Sequence, residues 1–283
     1  MSRLIALLTC HNRRDKTLAS LDAYFACQLP EGIERLAVLV DDGSSDGTAE
    51  AVLARFPAVM VERGDGSLFW NRGMLRAWQS AQKMQPDHVL WLNDDTSLYA
   101  DALLKLFEAA EWTQRKYGRP GIVVGSTENS QGQLSYGGSV PASLFNRLNL
   151  RKVQPLSQPQ AAITMNGNCV LVPHAVSARI GLIDGVFRHA MGDLDYGFRA
   201  SRTGIPVTVM AGMAGHCDND HTAQGSHADT SLPLRVRWRK MTSSKGLPPQ
   251  AWLALCQRHA GVLWPAVWVQ PYARLLLSSV RRK

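Results

Sequence analysis

No CxxC pair occurs among the five cysteines, Cys10, Cys27, Cys169, Cys217 and Cys256. Their odd, scattered count excludes a disulfide framework and predicts a reducing, cytoplasmic setting. Apolar runs of the ~20 residues that a membrane span needs are missing. The apolar stretch Leu4 to Cys10 is short, lacks a small-residue cleavage site and runs into His11, Asn12, Arg13 and Arg14, so it reads as a first strand and not a signal peptide. A GxGxxG turn after that strand is absent, which argues against a dinucleotide oxidoreductase. Glycine is also missing from His11 to Asp15, where a sugar-1-phosphate nucleotidyltransferase would carry a Gly-rich phosphate loop. There is no internal repeat and no low-complexity tract.

Acidic residues are in deficit, 23 against 31 Lys and Arg, giving a net charge of +8 and a sequence pI near 9.5. The excess crowds into the last quarter, at Arg235, Arg237, Arg239, Lys240, Lys245, Arg281, Arg282 and Lys283. That asymmetry speaks against nucleic acid and for an anionic surface or a phosphorylated ligand met by one region, or for a solvated basic face.

What is present is a chain of 283 residues, 45% hydrophobic, long enough for one large domain or a domain with an appendage. Short apolar runs at Leu4–Thr9, Leu36–Val40, Val59–Glu62, Val89–Leu92 and Ile122–Val124 read as strands buried on both faces. Amphipathic patterns at Lys16–Gln28, Gly47–Phe56, Asn71–Met84 and Asp101–Lys116 alternate with them. The alternation predicts an α/β fold with a mostly parallel sheet, and ligands of such sheets bind at the carboxyl ends of the strands. Gly125 to Pro159 reads as a long loop over that end. Further strands follow at Asn168–Val172 and Val207–Ala211, with a helix opening at Asp193 and stopping at Gly204.

Two strands end on paired carboxylates. Leu36–Val40 delivers Asp41 and Asp42, and His88–Leu92 leads through Asn93 to Asp94 and Asp95. Hard oxygen donors in one polar crevice suit Mg2+ or Mn2+ with a phosphate ligand. An acidic turn that merely caps the next helix is the plain alternative, and for Asp46, ahead of Gly47, capping is the preferred reading.

Taken together, Thr9 to Arg13, VDDGSSDGT at Val40–Thr48, LNDDT at Leu92–Thr96 and GDLDYGFR at Gly192–Arg199 resemble the family 2 glycosyltransferases of GT-A fold, in particular bacterial rhamnosyltransferase-like enzymes of surface polysaccharide assembly. The resemblance spans about Leu4 to His216. It implies a GT-A domain over residues 1–220, with 221–283 as a basic linker and helical appendage. It also implies an inverting, metal-dependent transfer from a UDP- or dTDP-sugar to a saccharide or lipid-linked acceptor of lipopolysaccharide-like glycans.

By that resemblance Asp193 is the general base, with an N-cap carboxylate as its plain alternative, and Asp95 is the first-choice metal ligand, joined by His216 unless that histidine is structural. Asn93 or Asp94 orients water or ribose, Asp41 recognises a uracil or thymine imide, and Asp42 contacts ribose or caps. Thr9, Asn12 and Arg13 line the nucleotide pocket, and Arg72 faces the diphosphate, with Trp70 beside it or in ordinary packing. The sequence departs from the family at Asn93, where the first acid of the DxD motif is expected, and at Gly192, where an acid usually precedes the base. Asp195 is expected to pair with Arg199 one helical turn on. Cys217 and His221 do not complete a zinc site of usual spacing. Two alternatives remain, a sugar nucleotidyltransferase and a non-catalytic saccharide-binding protein. Trp264, Trp268 and Tyr272 with Arg274 predict either a peripheral membrane contact or a helical hairpin packed on the domain or on a second copy. Pro265 and Pro271 are expected to interrupt that segment.

Overall fold

A computed structural model describes residues 2–143, 146–218 and 224–280. The chain opens with β1 (Ser2–Cys10), α1 (Arg14–Ala26), β2 (Ile33–Asp41), α2 (Thr48–Arg55), β3 (Met60–Arg63), α3 (Phe69–Gln82) and β4 (His88–Leu92). It continues through β5 (Ser97–Leu98), α4 (Ala102–Tyr117), β6 (Ile122–Glu128), β7 (Leu134–Tyr136), β8 (Gly138–Pro141), β9 (Leu150–Lys152), β10 (Gln160–Ala162) and β11 (Thr164–Met165). Then come β12 (Cys169–Pro173), α5 (His174–Ile180), α6 (Gly192–Arg202), β13 (Val207–His216), α7 (Leu234–Met241), α8 (Pro249–His259) and α9 (Trp264–Val280).

The main sheet runs β10-β13-β6-β12-β4-β1-β2-β3. Parallel pairing joins β3, β2, β1 and β4, and again β6 and β13, while β12 is antiparallel to both of its neighbours. Alternation along β1 explains the double-sided core. Ile5 and Leu7 face α3 and α6 through Met74, Trp78 and Tyr196. Leu4, Ala6 and Leu8 face the other helices through Leu21, Val52, Leu103 and Leu106. The carboxyl ends of β1, β2 and β4 therefore open on one edge, and β12, running the other way, brings its amino-terminal end to the same place.

An aromatic cluster ties together the elements that carry the acidic motifs. Trp91 of β4 lies 5.6 Å from Trp78 of α3 and 5.1 Å from Tyr196 of α6, ring centre to ring centre. Each such pair adds about 0.5 to 1.5 kcal/mol beyond simple burial, so β4, α3 and α6 are held as one unit beneath the sheet edge.

The stretch expected as a loop from Gly125 to Pro159 instead carries the end of β6 and three short strands. β8 pairs with β9 and β11 in a second, three-stranded sheet. Segments of three or four residues are too short to show an alternation in sequence, and their stability comes from pairing. Pro265 and Pro271 do not interrupt the carboxyl-terminal helix either. Pro265 sits in the first turn of α9, where its missing N–H costs nothing, and Pro271 lies within the helix.

Helices α7 to α9 pack on one another and reach the sheet domain through α8. Leu255 and Ala251 of α8 are buried against Phe187 and Met191, immediately before α6. Beneath them Asp195 is fully buried and accepts from Arg199 Nε at 2.8 Å, Arg258 Nη1 at 3.1 Å and His259 Nε2 at 2.9 Å. Burial pushes its carboxyl upward, but these three cationic or N–H partners outweigh that and hold it below the usual carboxylate range. No helix among the described residues is long and apolar enough to cross a membrane.

Candidate active site

At the carboxyl edge of the sheet lies a cleft of about 560 Å³, within the usual size of a small-molecule site. Thr9 at the end of β1 lines it, together with Arg13 from the start of α1, Asn93, Asp94 and Asp95 after β4, and Asp193 from α6. Asp42 from the end of β2 also touches it. The seven come from five places in the chain, gathered by the parallel pairing and the aromatic cluster.

The acidic end is built around one guanidinium. Arg13 Nη1 donates to Asp94 Oδ1 at 3.2 Å and to Asp95 Oδ2 at 2.7 Å. Burial raises Asp94 to about 7, the neighbouring Asp95 charge pushes the same way, and Arg13 opposes both. Asn93 is turned aside, because its Oδ1 accepts from Trp70 Nε1 at 2.7 Å. Trp70 thus does more than pack: it orients the residue standing at the first acidic position of the motif.

Asp193 lies in the first turn of α6. Its Oδ2 accepts from Gly167 N at 3.0 Å and its Oδ1 from Leu194 N at 2.8 Å. Burial raises its pKa and these two N–H groups only partly offset the rise, so the carboxylate is more basic than an exposed one. No cation pairs with it among the described residues. Gly167 belongs to the turn before β12, where the antiparallel strand meets the cleft. A Cβ there would come 2.4 Å from the Trp70 ring, so only glycine fits.

Gly192 has a similar reason. A Cβ at that position would fall 1.7 Å from Asn71 Oδ1, and Asn71 in turn donates from Nδ2 to the carbonyls of Asp184 and Phe187 at 2.8 Å each. The acid usual in the family has no room, and Asn71 ties the α6 entry loop in its place. Phe69 and Met191, at the starts of α3 and α6, carry positive φ of 57° and 78°, and both line the cleft. Such strain in non-glycine residues tends to gather at functional sites.

The structure does not bring every expected residue into the cleft. Asp41 is buried and accepts from Ser44 N at 2.9 Å, and Asn12 meets the same turn through Ser44 Oγ and Ser45 N. These two adjoin the cleft without lining it. Asp42 neither caps α2 nor presents a free carboxylate: its oxygens accept from Gly66, Leu68 and Phe69 N–H at 2.9, 3.2 and 2.9 Å, fixing the entry to α3. Asp46 accepts from Thr48 N at 3.1 Å and from Arg14 N at 3.0 Å, linking the starts of α2 and α1. Arg72 is turned away and donates from Nε to Gly185 O at 3.0 Å. His216 does not line the cleft, and its Nε2 stands 3.8 Å from Glu128 Oε1. The next residue comes nearer, with Cys217 Sγ 3.4 Å from Asp95 Oδ1. His221 lies outside the described residues.

Sequence reading missed Tyr136, His189, Met191, Asp218 and Lys245, which also line the cleft. Only Asp218, in the polar run after β13, and Lys245, in the basic stretch, carried any signal.

Among the described residues no three His, Cys, Asp or Glu side chains converge as a ready metal cage. The donor set fits Mg2+ or Mn2+ in a narrower sense, because Asp94 and Asp95 supply two hard carboxylates and such ions take the rest of their shell from phosphates and water.

No family model matches the chain, and no curated protein matches it. Among solved structures it is similar to Staphylococcus aureus TarS, a glycosyltransferase. A crystal structure of TarS residues 1–349 superposes with a TM-score of 0.54 at 13% identity, covering 91% of this chain and 70% of that one. The same fragment in complex with UDP gives 0.53 at 14% identity, with the same coverage. A longer TarS structure gives 0.54 at 13% identity, with 42% of that chain covered. The fold is of the GT-A glycosyltransferase type.

Proposed function

We propose that this chain is an inverting, metal-dependent glycosyltransferase that moves a hexose-type residue from a UDP- or dTDP-sugar to a saccharide or lipid-linked acceptor of a bacterial-type surface glycan. The observation that carries it is the division of one cleft into two chemically distinct ends. At one end Asp94 and Asp95 share the Arg13 guanidinium, and at the other Asp193 has no paired cation among the described residues. The UDP complex of the similar TarS structure supports a nucleoside diphosphate in the same fold.

The division suits displacement at an anomeric carbon. A divalent ion held by Asp95 and Asp94 would neutralise the diphosphate as it leaves, as a Lewis acid. Arg13, released from the aspartates, is placed to pair with the same phosphate charge. Asp41 and Asn12, on the adjoining turn, are assigned to the uracil or thymine side. Asp193 takes the proton from the acceptor hydroxyl while that oxygen forms its bond to the anomeric carbon and the diphosphate departs. Gly167 N–H and Leu194 N–H hold the carboxylate in place for that transfer.

Release of nucleoside diphosphate from a panel of UDP- and dTDP-sugars, with and without acceptor glycans, tests the reading. The expected result is acceptor-dependent release that Asp193→Asn lowers by about 100- to 10,000-fold, the usual contribution of a general base, with donor binding retained. Near-normal turnover in purified Asp193→Asn would reject Asp193 as base. Donor binding without release to any acceptor would favour a non-catalytic saccharide-binding role.

A further inference from the structure

Helix α9 is apolar on both sides. Val267, Tyr272 and Leu275 face inward and are buried, with Trp268 packed beside them against Trp252 and Met241. A second set faces out, from the turn before the helix and from the helix itself: Val262 is 94% exposed, Leu263 48%, Val269 48%, Leu276 46% and Leu277 63%. Ala266, Val269 and Leu276 lie on one stripe of α9, Val269 and Leu276 seven residues apart, and Val262 and Leu263 stand exposed in the 3-10 turn Gly261–Leu263 that leads into it. A helix apolar all round is normally enclosed, whereas here one flank has no cover among the described residues. The packed hairpin accounts for the inner flank only.

Charge says what covers the outer one. Beyond Asp229 the chain holds ten of its 31 Lys and Arg and none of its 23 Asp and Glu, leaving 21 against 23 in everything before. The whole positive excess therefore belongs to the carboxyl-terminal helices and the residues beside them. Arg235, Arg239 and Lys240 are exposed on α7, and Arg274 is exposed on α9. The two helices touch through Trp238 and Tyr272, whose rings lie 5.9 Å apart, and Trp238 remains 39% exposed. An apolar stripe bordered by cations, with an indole at the boundary and no acid anywhere near in sequence, matches the chemistry of an anionic bilayer surface.

We infer that α9 and α7 dock the protein on an anionic membrane, α9 lying in the interface plane without crossing it. The contact goes beyond the transfer reaction and does not depend on it. It has a consequence if that reaction is correct. Lys245, in the loop that joins α7 to α8, lines the cleft that holds Asp193, so docking through α7 would bring one edge of the site toward the bilayer, where the head of a lipid-anchored acceptor would enter. Asp195, gripped by Arg199 of α6 and by Arg258 and His259 of α8, ties the helix that follows that loop to the sheet domain.

Sedimentation of the full chain with vesicles tests the inference, using phosphatidylcholine alone and phosphatidylcholine mixed with phosphatidylglycerol, at low and at high salt. Two variants accompany it, Val262→Glu/Leu276→Glu and Arg239→Gln/Lys240→Gln/Arg274→Gln, each checked for native circular dichroism and melting. All five positions are exposed, so folding is expected to survive. The expected result is binding to the phosphatidylglycerol vesicles at low salt, release at high salt, and loss of at least tenfold in affinity for either variant, about fivefold per cation removed. Three outcomes overturn it: no binding to anionic vesicles at low salt, equal binding by the glutamate variant, or conversion by that variant of a dimer into a monomer with vesicle binding unchanged. The last assigns the stripe to a second copy. Binding of a short oligonucleotide more tightly than vesicles, indifferent to the glutamates, assigns the charge to nucleic acid and also overturns it.

Discussion

Strands β2 and β4 both run from buried apolar residues onto a pair of aspartates, and the two pairs are satisfied by different means. Asp41 and Asp42 are occupied by backbone N–H groups of the loops around them. Asp94 and Asp95 both pair with the side chain of Arg13. Backbone amides cannot leave, so the first pair shapes the chain. A guanidinium on a flexible stem can be exchanged for another cation, so the second pair is open to chemistry. The same split recurs within two residues of α6, where Asp195 is enclosed by Arg199, Arg258 and His259 and Asp193 faces the cleft. In each case adjacency in sequence says nothing about role, and the identity of the partner does.

If that division is right, replacing a structural aspartate damages the fold and replacing an available one damages only function. The largest stability effect is expected for Asp195→Ala, which leaves a buried cluster without its anion. Removing one partner of a buried ion pair costs about 3 to 5 kcal/mol, and the low end applies because Arg199 and Arg258 keep some access to water. Chemical denaturation reads this directly, and an unchanged midpoint would break the comparison on α6. Because the Asp195 carboxyl is held below its ordinary range, its contribution is present at neutral pH and is lost as pH falls through that depressed value.

Asp42→Ala is expected to cost about 1 to 3 kcal/mol, from backbone N–H groups left without an acceptor at the entry to α3. The variant should melt earlier and keep its response to metal. A variant as stable as the parent would move Asp42 to the side of the available carboxylates.

The smallest of these effects is a pH dependence. Burial raises the Asp193 pKa, and a general base works only when deprotonated. Transfer should therefore fall about tenfold per pH unit below an acid limb that lies above the ordinary carboxylate value of about 4. The pH profile of kcat/KM measures it. A limb in the ordinary range would mean that Asp193 is better solvated than its surroundings indicate.

The α/β class, the parallel sheet and the carboxyl-end location of the site were legible because β1, β2 and β4 are buried on both faces and read as unbroken apolar runs. β7 to β11 were not, being too short to show a period. The Asp195–Arg199 pair was legible from local spacing, and Asp94, Asp95 and Asp193, picked out by the paired acids after β4 and by the family resemblance, do line one cleft. What escaped depends on contacts remote in sequence. The orientation of Asn93 is set by Trp70, 23 residues away. Asp195 meets His259, 64 residues on, and the turning of Arg72 toward Gly185 spans 113. Gly192 looked like a lapse from the family pattern, and its reason lies in the carboxamide of Asn71 across the loop.

The central claim, that the Asp94–Asp95 end is where a metal-bound diphosphate sits, is tested most directly by calorimetric titration of UDP and dTDP with and without Mn2+ into the parent and Asp95→Ala. The account predicts that Mn2+ tightens nucleotide binding to the parent, that Asp95→Ala loses most of this enhancement while melting like the parent, and that Asp41→Ala weakens nucleotide binding whether or not Mn2+ is present. An identical Mn2+ response in Asp95→Ala and the parent would contradict it.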